Sequence, residues 1–328
     1  MSTKDDLLLQ QLPAEIATAR QRISDVVQCT ELRHSPFYSE VTGANVYLKC
    51  ENLQTTGSFK LRGAANKFLS LADEQRNLVV AASTGNHGKA VATVGSKFGS
   101  QCKIFAPINA KTAKLDAIRR IGAEVIVIGE DCLQSEQEAQ RFSEEHAASY
   151  LSPYNDPVVV AGQGTIGLEL CEQREKIDAV FASVGGGGML GGLAAAINPQ
   201  IPDCEFIACS PENSCVMVRS MEAGRLLDLP SEETLSDGTA GGLELDSITY
   251  GLCEQLITRS VLVSESEIAA ALRQFIDAHS MLIEGAAAVA IAGLLQQPGA
   301  YRDKNVVIVL CGGNIGTDTL AKILVDRN

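Results

Sequence analysis

This chain lacks several features that define common protein classes. It has no tryptophan, and none of its apolar runs is long enough to cross a bilayer. Its first residues do not resemble a signal peptide, because Lys4, Asp6 and Glu15 interrupt any apolar core. With 328 residues, of which 45% are hydrophobic and 20% charged, the composition predicts a soluble metabolic enzyme of two lobes.

The chain also has few basic residues relative to acidic ones, and its cysteines and histidines do not stand at the spacings typical of metal sites. The net charge of −13 argues against a nucleic-acid surface and favours solubility. None of the ten cysteines forms a C-x-x-C pair, and none of the four histidines stands at zinc-ligand spacing from another histidine or a cysteine. We therefore expect reduced cysteines, a cytoplasmic location, and neither nucleic acid nor membrane as a partner.

Short apolar runs alternate with helix-like stretches along the chain. Strands are predicted at 78–82, 103–106, 124–128, 179–182, 206–209 and 306–310. Such alternation is typical of parallel sheets covered by helices, so the sequence predicts an α/β fold. Residues 77–150 would form a small inserted domain with three strand–helix units. Residues 1–76 and 151–328 would together form a larger domain.

A lysine at the predicted start of a helix is the first candidate for chemistry. Lys60 follows a Gly-Ser turn and the aromatic Phe59, and it precedes a helix-like run at 61–65. Apolar neighbours can desolvate such an amine, which lowers its pKa and frees it for Schiff-base chemistry. Most lysines are solvated surface charges, so this context alone leaves both interpretations open.

A run of four glycines, from Gly185 to Gly188, stands between an apolar segment and a helix-like run. Bare backbone N–H groups at a helix N-terminus bind phosphate, whereas the alternative, a tight turn with positive φ, rarely needs four glycines. The run also matches the dinucleotide fingerprint G-x-G-x-x-G, with Glu205 and Glu212 about 20 residues further on, but the triphosphate signature G-x-x-x-x-G-K-[ST] does not occur. An amine combined with an anion cradle suggests a phosphorylated aldehyde cofactor.

Three further segments extend these two motifs. They read Ala82-Ser83-Thr84-Gly85-Asn86-His87-Gly88, Ala161-Gly162-Gln163-Gly164-Thr165-Ile166 and Leu310-Cys311-Gly312-Gly313-Asn314. With all five in this order, the chain resembles the fold-type II pyridoxal-phosphate enzymes of the serine/threonine dehydratase and serine racemase family. The resemblance runs from about Arg22 to near the C-terminus. It implies a two-lobed fold like that of tryptophan synthase β, with pyridoxal 5′-phosphate in the cleft between the lobes and a homodimeric assembly.

The resemblance assigns cofactor-binding roles by position. Lys60 would bind the cofactor as a Schiff base, Phe59 would pack against its ring, Asn86 would bind its 3′-oxygen, and the phosphate would lie on Gly185, Gly186, Gly187, Gly188 and Met189. Cys311 would face the pyridine nitrogen, where a thiol favours a more neutral ring than a carboxylate does. An ordinary buried thiol is the alternative for Cys311. Glu284 is either an acid near the cofactor or an exposed carboxylate favoured by a helix dipole.

Substrate recognition is also implied by the resemblance. The loop Ser83, Thr84, Gly85, Asn86 and His87 would receive the substrate carboxylate, with His87 shaping the loop rather than moving protons. Gly238, in the segment 236–242, would lie over the substrate side chain. Serine racemases have a catalytic serine at the position of Thr84, where threonine keeps the hydroxyl but adds a methyl group and a stiff χ1.

These features favour a dehydratase over a racemase. Lys60 would remove the α-proton, and β-elimination would convert L-threonine to 2-oxobutanoate, or L-serine to pyruvate, with release of ammonia. Serine racemisation, or dehydration of another β-hydroxy amino acid such as a hydroxyectoine catabolite, is the alternative. Hydroxyaspartate ranks low, because the anionic stretch Gln134-Ser135-Glu136 stands where an arginine is expected.

Two other features of the resemblance concern ligands and regulation. Acidic cation ligands of animal-type racemases are replaced here by Ser210 and Val216, and Glu212 alone is a poor site for a hard cation, so no metal is expected. A C-terminal regulatory domain is not expected either.

Two functions from other classes are alternatives. A nicotinamide-dependent oxidoreductase would use the glycine fingerprint but not the Lys60 motif. A non-catalytic binding protein would not need an intact Lys60.

Overall fold

Two helix-flanked sheets form the molecule in this computed structural model, which describes residues 3–130 and 132–325. The helices are α1 (Thr3–Arg22), α2 (Pro36–Thr42), α3 (Lys60–Ser70), α4 (Asn86–Phe98), α5 (Thr112–Arg120), α6 (Cys132–Glu145), α7 (Pro157–Gln173), α8 (Gly188–Ile197), α9 (Val216–Ala223), α10 (Ile248–Leu256), α11 (Glu265–His279), α12 (Gly285–Leu295) and α13 (Thr317–Val325). The strands are β1 (Leu32–His34), β2 (Asn45–Lys49), β3 (Leu78–Ala82), β4 (Gln101–Ala106), β5 (Glu124–Val127), β6 (Ser149–Tyr150), β7 (Ala179–Ser183), β8 (Glu205–Pro211), β9 (Arg259–Val263) and β10 (Asn305–Val309). Short 3₁₀ segments cover Glu51–Leu53 and Asp73–Arg76.

The larger sheet has the strand order β1-β2-β10-β7-β8-β9, and the smaller one the order β5-β4-β3-β6. Only the edge pair β1 and β2 is antiparallel; the other paired strands of both sheets are parallel. Parallel strands need crossover helices, and these helices cover both faces of each sheet. The predicted α/β class is therefore confirmed.

The central strands β7 and β10 show why the apolar runs are continuous. Every residue of both strands is buried, because α8 and α12 are apolar on all sides and enclose this part of the sheet. In register, Val306 pairs with Ala179 and Ile308 with Phe181. The two strands therefore end side by side, and the loops that follow them emerge at the same edge of the sheet.

The predicted strands agree with the observed ones within two residues at each end, and β3 matches at both ends. One difference concerns Ser210, which was expected to follow its strand. β8 continues to Pro211, so Ser210 lies within the strand, and its hydroxyl donates to the carbonyl of Ser214 at 3.1 Å.

The smaller sheet draws all its strands from residues 78–150, inside the predicted inserted domain. Its apolar core is shared, because Leu61 and Phe68 of α3 pack in the same buried cluster as Val79 and Ile104. The domain boundaries at residues 77 and 150 stay a prediction. Among the described helices, we find none with the length and hydrophobicity needed to span a membrane.

Candidate active site

Backbone pairing brings Lys60 to the end of β10. The amide of Phe59 donates to the carbonyl of Cys311 at 3.0 Å, and the amide of Gly313 donates to the carbonyl of Gly57 at 2.9 Å. Gly57 has a φ of 75°, a conformation that side chains disfavour, and it allows the tight turn before Phe59. α3 then begins at Lys60, as predicted, with its first turn facing the cleft between the sheets.

The Lys60 side chain is half-buried and lines the cleft. Its Nζ donates to the carbonyl of Pro153 at 2.9 Å and lies 5.3 Å from the centroid of the Phe59 ring. Burial lowers the pKa of Lys60 from its ordinary value to about 8, while Glu136 and more distant negative groups oppose this shift. The amine is therefore available as a nucleophile or base near neutral pH.

The glycine run forms an open cradle between β7 and α8. Gly187 alone of the four has a positive φ, 78°, so a turn explains only one glycine. A Cβ on Gly185 would lie 2.8 Å from the carbonyl oxygen of Thr239, and a Cβ on Gly186 would clash with the ring of Tyr154. Gly185 and Gly186 therefore lack side chains because Thr239 and Tyr154 lie too close to admit them, which favours the cradle over a simple turn.

The cradle presents free donors to the cleft. In the described part of the chain, the amides of Gly185, Gly186 and Gly187 find no acceptor, and α8 adds the N–H groups of its first turn at Gly188 and Met189. Of the two acids named in the dinucleotide interpretation, Glu212 directly follows β8 at the cradle's end of the sheet, whereas Glu205 lies at the start of β8, at the opposite end. There its carboxylate accepts a hydrogen bond from Tyr301 at 2.9 Å.

One continuous cleft joins the lysine to the cradle. Its inner part is lined by Phe59, Lys60, Asn86, Ser183, Gly185, Gly186, Gly187, Gly188, Met189, Gly238, Glu284 and Cys311, together with neighbouring residues. An amine therefore stands at one end of the inner cleft and an anion cradle with unpaired amides at the other. These residues fit pyridoxal 5′-phosphate, which has an aldehyde and a phosphate at separate positions on its ring.

Cys311 lies at the base of this inner cleft. Its side chain is 2% exposed, and its sulfur accepts a hydrogen bond from the hydroxyl of Ser183 at 3.5 Å. Burial, followed by the charge of Glu284, raises the pKa of Cys311 well above its ordinary value. A protonated thiol can approach a ring nitrogen without carrying charge, which matches the role the resemblance implies.

A hydrogen-bonded network surrounds Asn86 at the first position of α4. Its side-chain amide donates to Glu284 Oε1 at 2.8 Å, and its Oδ1 accepts from Asn314 Nδ2 at 2.7 Å. The Asn314 backbone amide donates to Glu284 Oε2 at 3.1 Å, and Lys89 Nζ donates to Asn314 Oδ1 at 3.0 Å. Asn86 is therefore fixed in orientation by two side chains, Glu284 and Asn314, and Lys89 in turn holds Asn314.

Glu284 is buried, so its interpretation as an exposed carboxylate is wrong. It is 3% exposed although it is the N-cap of α12, and its side chain makes no capping bond. Burial, and then repulsion from Asp237, raises the pKa of Glu284 to about 7. Near neutral pH this carboxyl group can hold or release a proton beside Asn86.

The loop between β3 and α4 forms the outer wall of the cleft, where Ser83, Thr84 and Gly85 line the opening. The Ser83 hydroxyl accepts from the Gly85 amide at 3.0 Å, and Gly85 precedes the first residue of α4. The Gly85 amide is thus already paired, and the N-terminus of α4 is the part of this wall that suits a substrate carboxylate.

His87 is held as a neutral side chain. Its Nε2 lies 2.8 Å from the carbonyl of Leu151, and no described group pairs with its Nδ1. Burial, reinforced by the Lys60 charge, lowers the pKa of His87 to about 3. The ring remains uncharged at neutral pH, which agrees with a role in shaping the loop.

Charged side chains and Gly238 surround the entrance. Lys114 of α5 forms an ion pair with Asp237, and Glu136 of α6 lines the same opening. A Cβ on Gly238 would lie 3.2 Å from Glu284 Oε1, so the segment at 236–242 packs directly on the Asn86 network. Among described residues, no three His, Cys, Asp or Glu side chains group as metal ligands.

Sequence reasoning missed several contributors to this cleft. Pro153 offers a backbone carbonyl, which leaves no side-chain signal, and Tyr154 packs on Gly186 from a distant part of the chain. Asn314 stood within a recognised motif, but only the fold shows that it contacts Asn86. The only sequence signal for Asn314 as a site residue was its position three residues after Cys311 in that motif.

Comparisons with known proteins agree with the geometry of this cleft. A family model described as pyridoxal-phosphate dependent enzyme matches residues 23–312. An L-threonine ammonia-lyase of Thermotoga maritima is 39% identical over 94% of this chain and 77% of the relative. The processed threonine deaminase isoform 2 of Solanum lycopersicum superposes with a TM-score of 0.90 at 32% identity, covering 98% of this chain and 93% of that chain. Maize serine racemase superposes with a TM-score of 0.89 at 29% identity, covering 95% and 96%.

Proposed function

This chain belongs to the family of pyridoxal-phosphate dependent enzymes, and on that premise we propose that it is a threonine/serine ammonia-lyase. It would convert L-threonine to 2-oxobutanoate, and L-serine to pyruvate, with release of ammonia. The observation that carries the proposal is the Lys60 amine, whose pKa is lowered to about 8, between the glycine cradle and the loop at Ser83. The L-threonine ammonia-lyase and the threonine deaminase to which this chain is similar support the choice of substrate.

The cofactor would be held by the inner part of the cleft. Lys60 would attach it, the amides of Gly185 to Met189 would bind its phosphate, and Cys311 and Asn86 would contact the ring nitrogen and the 3′-oxygen. When bound, pyridoxal phosphate supplies the electron sink that stabilises negative charge on the substrate Cα.

Proton transfer at Cα is assigned to the Lys60 amine. Its Nζ donates to the carbonyl of Pro153 at 2.9 Å, which would orient the amine, and the lowered pKa of about 8 makes its neutral form accessible near that pH. His87 is a poor alternative base, because its Nε2 is occupied by Leu151 and its pKa is lowered to about 3. General-base catalysis by a positioned amine contributes about 10²–10⁴-fold to such reactions.

Substrate orientation is assigned to the loop between β3 and α4. The backbone amides near Gly85 and the N-terminus of α4 would bind the substrate carboxylate, with Ser83 and Thr84 adding hydroxyl groups. The glycine-rich segment around Gly238 leaves room for a small side chain above this site. An anionic Glu136 at the opening disfavours a second carboxylate on the substrate.

Serine racemisation is the second candidate function. The Thr84 hydroxyl lines the cleft, and a maize serine racemase has a closely similar fold. Thr84→Ser restores the residue that racemases carry. An increase in D-serine formation by this variant would show that the threonine methyl group restricts racemisation.

The direct test is a product assay with the purified protein and added cofactor. L-Threonine, L-serine and hydroxyaspartate are supplied separately, and 2-oxo acid, ammonia and D-serine are quantified. We expect 2-oxobutanoate and ammonia in equal amounts from L-threonine. D-Serine as the main product of L-serine, with no oxo acid from either substrate, would replace the lyase proposal by the racemase.

We also propose a homodimer in the cytoplasm, and a small domain at residues 77–150 that closes over the substrate. Light scattering of the purified protein measures the oligomeric state. Limited proteolysis with and without bound amino acid tests domain closure, since closure would protect the segment that joins the two sheets.

A further inference from the structure

The four-glycine cradle has little internal means of fixing its own conformation. Gly186 and Gly187 are joined by a trans peptide bond and carry no side chains, so contacts from neighbouring residues must restrict the torsions on either side of this bond. A cradle that binds phosphate needs its N–H groups to point into the cleft before the anion arrives. A hydrogen bond from outside the loop to one of its peptide groups would supply that order.

The buried hydroxyl of Thr249 on α10 makes the required contact. Its Oγ1 donates to the carbonyl oxygen of Gly186 at 2.6 Å, and the side chain is fully buried. The Ser247 Oγ lies 2.7 Å from the same hydroxyl. A hydroxyl has one proton to donate, and Thr249 gives its proton to Gly186, so Ser247 is the donor in the second bond.

Peptide geometry converts this contact into an orientation of the cradle. In a trans peptide, the C=O of Gly186 and the N–H of Gly187 point in opposite directions. Holding the carbonyl against α10 therefore directs the Gly187 N–H away from α10. Gly187 lines the inner cleft, and its amide has no acceptor within the described residues.

α10 is itself tied to the segment that supports Lys60. The Ile248 amide donates to Asn155 Oδ1 at 3.0 Å, and the neighbouring Tyr154 ring packs on Gly186. Pro153 in the same segment accepts the hydrogen bond from the Lys60 amine. The lysine and the cradle are thus held at a fixed separation through residues 153–155 and α10.

We propose that Thr249, supported by Ser247, is a positioning residue that orients the Gly186–Gly187 peptide for binding of the cofactor phosphate. The inference rests on the proposed function in one respect, since it takes the glycine run as the phosphate cradle. It adds a specific source of that cradle's order, at a residue that lines neither the substrate opening nor the inner cleft.

The test compares Thr249→Val with Thr249→Ser in the apoprotein. Valine keeps the shape but leaves the Gly186 carbonyl without its donor, whereas serine keeps the hydroxyl. Each variant is titrated with pyridoxal 5′-phosphate and with pyridoxal, which lacks the phosphate, and binding is followed by visible absorbance. Far-UV circular dichroism and thermal unfolding of each apoprotein establish that the fold is intact.

We expect Thr249→Val to weaken binding of the phosphorylated ligand about tenfold and to leave pyridoxal binding within about twofold of wild type. Thr249→Ser should resemble wild type with both ligands. Ser247→Ala, which leaves Thr249 in place, should show a smaller loss in the same direction. Equal loss of both ligands in Thr249→Val, or an unchanged preference for the phosphorylated ligand, would overturn the proposal.

These titrations are independent of turnover. A wild-type protein that binds pyridoxal phosphate but releases no oxo acid from threonine would contradict the proposed lyase without affecting the comparison of ligands. Conversely, Thr249→Val with wild-type cofactor preference would remove the positioning role while threonine turnover continued to support the lyase.

Discussion

Two groups of buried ionisable side chains meet at α3, and they differ in how their charges are balanced. Lys49, Glu51, Arg62 and Glu169 form the α3 ion cluster, in which each residue is at most 2% exposed. Arg62 donates to both Glu51 and Glu169, and Lys49 Nζ donates to Glu169 at 2.5 Å. Two residues before Arg62, Lys60 has, among the residues that the structure describes, only the carbonyl of Pro153 as a hydrogen-bond acceptor.

The two groups respond to burial in opposite ways. Burial opposes charge at Arg62 and Glu169, yet their mutual pairing raises the pKa of Arg62 and lowers the pKa of Glu169, so both stay charged. At Lys60 and Glu284 burial prevails, lowering one pKa to about 8 and raising the other to about 7. Paired buried charges serve structure, whereas buried charges without a close partner become available for proton transfer.

Replacing the lysine should have the largest effect on activity. In Lys60→Ala we expect threonine turnover to fall by about 10⁴-fold, because the base and the cofactor attachment point are both lost. Initial rates of 2-oxobutanoate release measure the change. Lys67→Ala is the matched control, since Lys67 lies on the same helix and pairs with Asp156 at 2.6 Å. Comparable turnover in both variants would remove Lys60 from the mechanism.

Breaking the α3 ion cluster should mainly reduce stability. Arg62→Met leaves the buried Glu51 without its cation and leaves Glu169 paired with Lys49 alone, and we expect a loss of about 3–5 kcal/mol in the free energy of unfolding. Urea denaturation measures the change. Arg219→Met, which breaks an exposed pair with Glu222, should leave the free energy of unfolding nearly unchanged, because solvent screens that pair. Equal losses in the two variants would contradict the distinction between structural and surface pairs.

Glu284→Gln should alter the pH dependence of stability. The pKa of the Glu284 carboxyl is raised from 4.5 to about 7 in the folded state. Between these two pH values the folded protein keeps a proton on this carboxyl, whereas the unfolded chain does not. Wild-type apoprotein should therefore lose up to about 3 kcal/mol of stability as pH rises from about 4.5 to 7, and the variant should lack this component.

Urea midpoints of wild type and Glu284→Gln at about pH 5 and pH 8 test this difference. Glutamine also changes the hydrogen bonds to Asn86 and to the Asn314 amide. That cost is common to both pH values, so only the difference between them is diagnostic. Parallel pH profiles would show that Glu284 does not titrate in this range.

The smallest expected effect is on the rate at which the apoprotein binds the cofactor at different pH values, which tests the lowered pKa of Lys60. Only the neutral amine attacks an aldehyde, and the pKa of Lys60 is about 8. The rate of visible colour formation from apoprotein and pyridoxal phosphate should rise about tenfold per pH unit below pH 8 and level off above it. A rate that continues to rise to about pH 10 would indicate an ordinary, solvated lysine.

The sequence carried the features that depend on neighbours in the chain. Continuous apolar runs predicted the buried strands, and the glycine run between β7 and α8 predicted the cradle. Features that join distant segments were not predictable. Glu169 meets Lys49 across 120 positions, and Thr249 meets Gly186 across 63, with no local pattern to indicate either contact.

Burial separated the interpretations that the sequence left open. Glu284 was compatible with an exposed helix cap until the fold placed Gly312 and Gly238 against its carboxylate. The buried position of Cys311 fits both an ordinary thiol and a partner for the ring nitrogen, so its role stays a prediction. Such distinctions depend on desolvation, which is a property of the folded environment rather than of a residue's neighbours in sequence.

Mapping the lysine that attaches the cofactor tests the central claim most directly. The protein is loaded with pyridoxal phosphate, reduced with borohydride to make the attachment permanent, digested, and analysed by peptide mass spectrometry. The account predicts one labelled site, Lys60, because its amine lines the inner cleft and its pKa is lowered to about 8. Labelling at another lysine with Lys60 unmodified would contradict it.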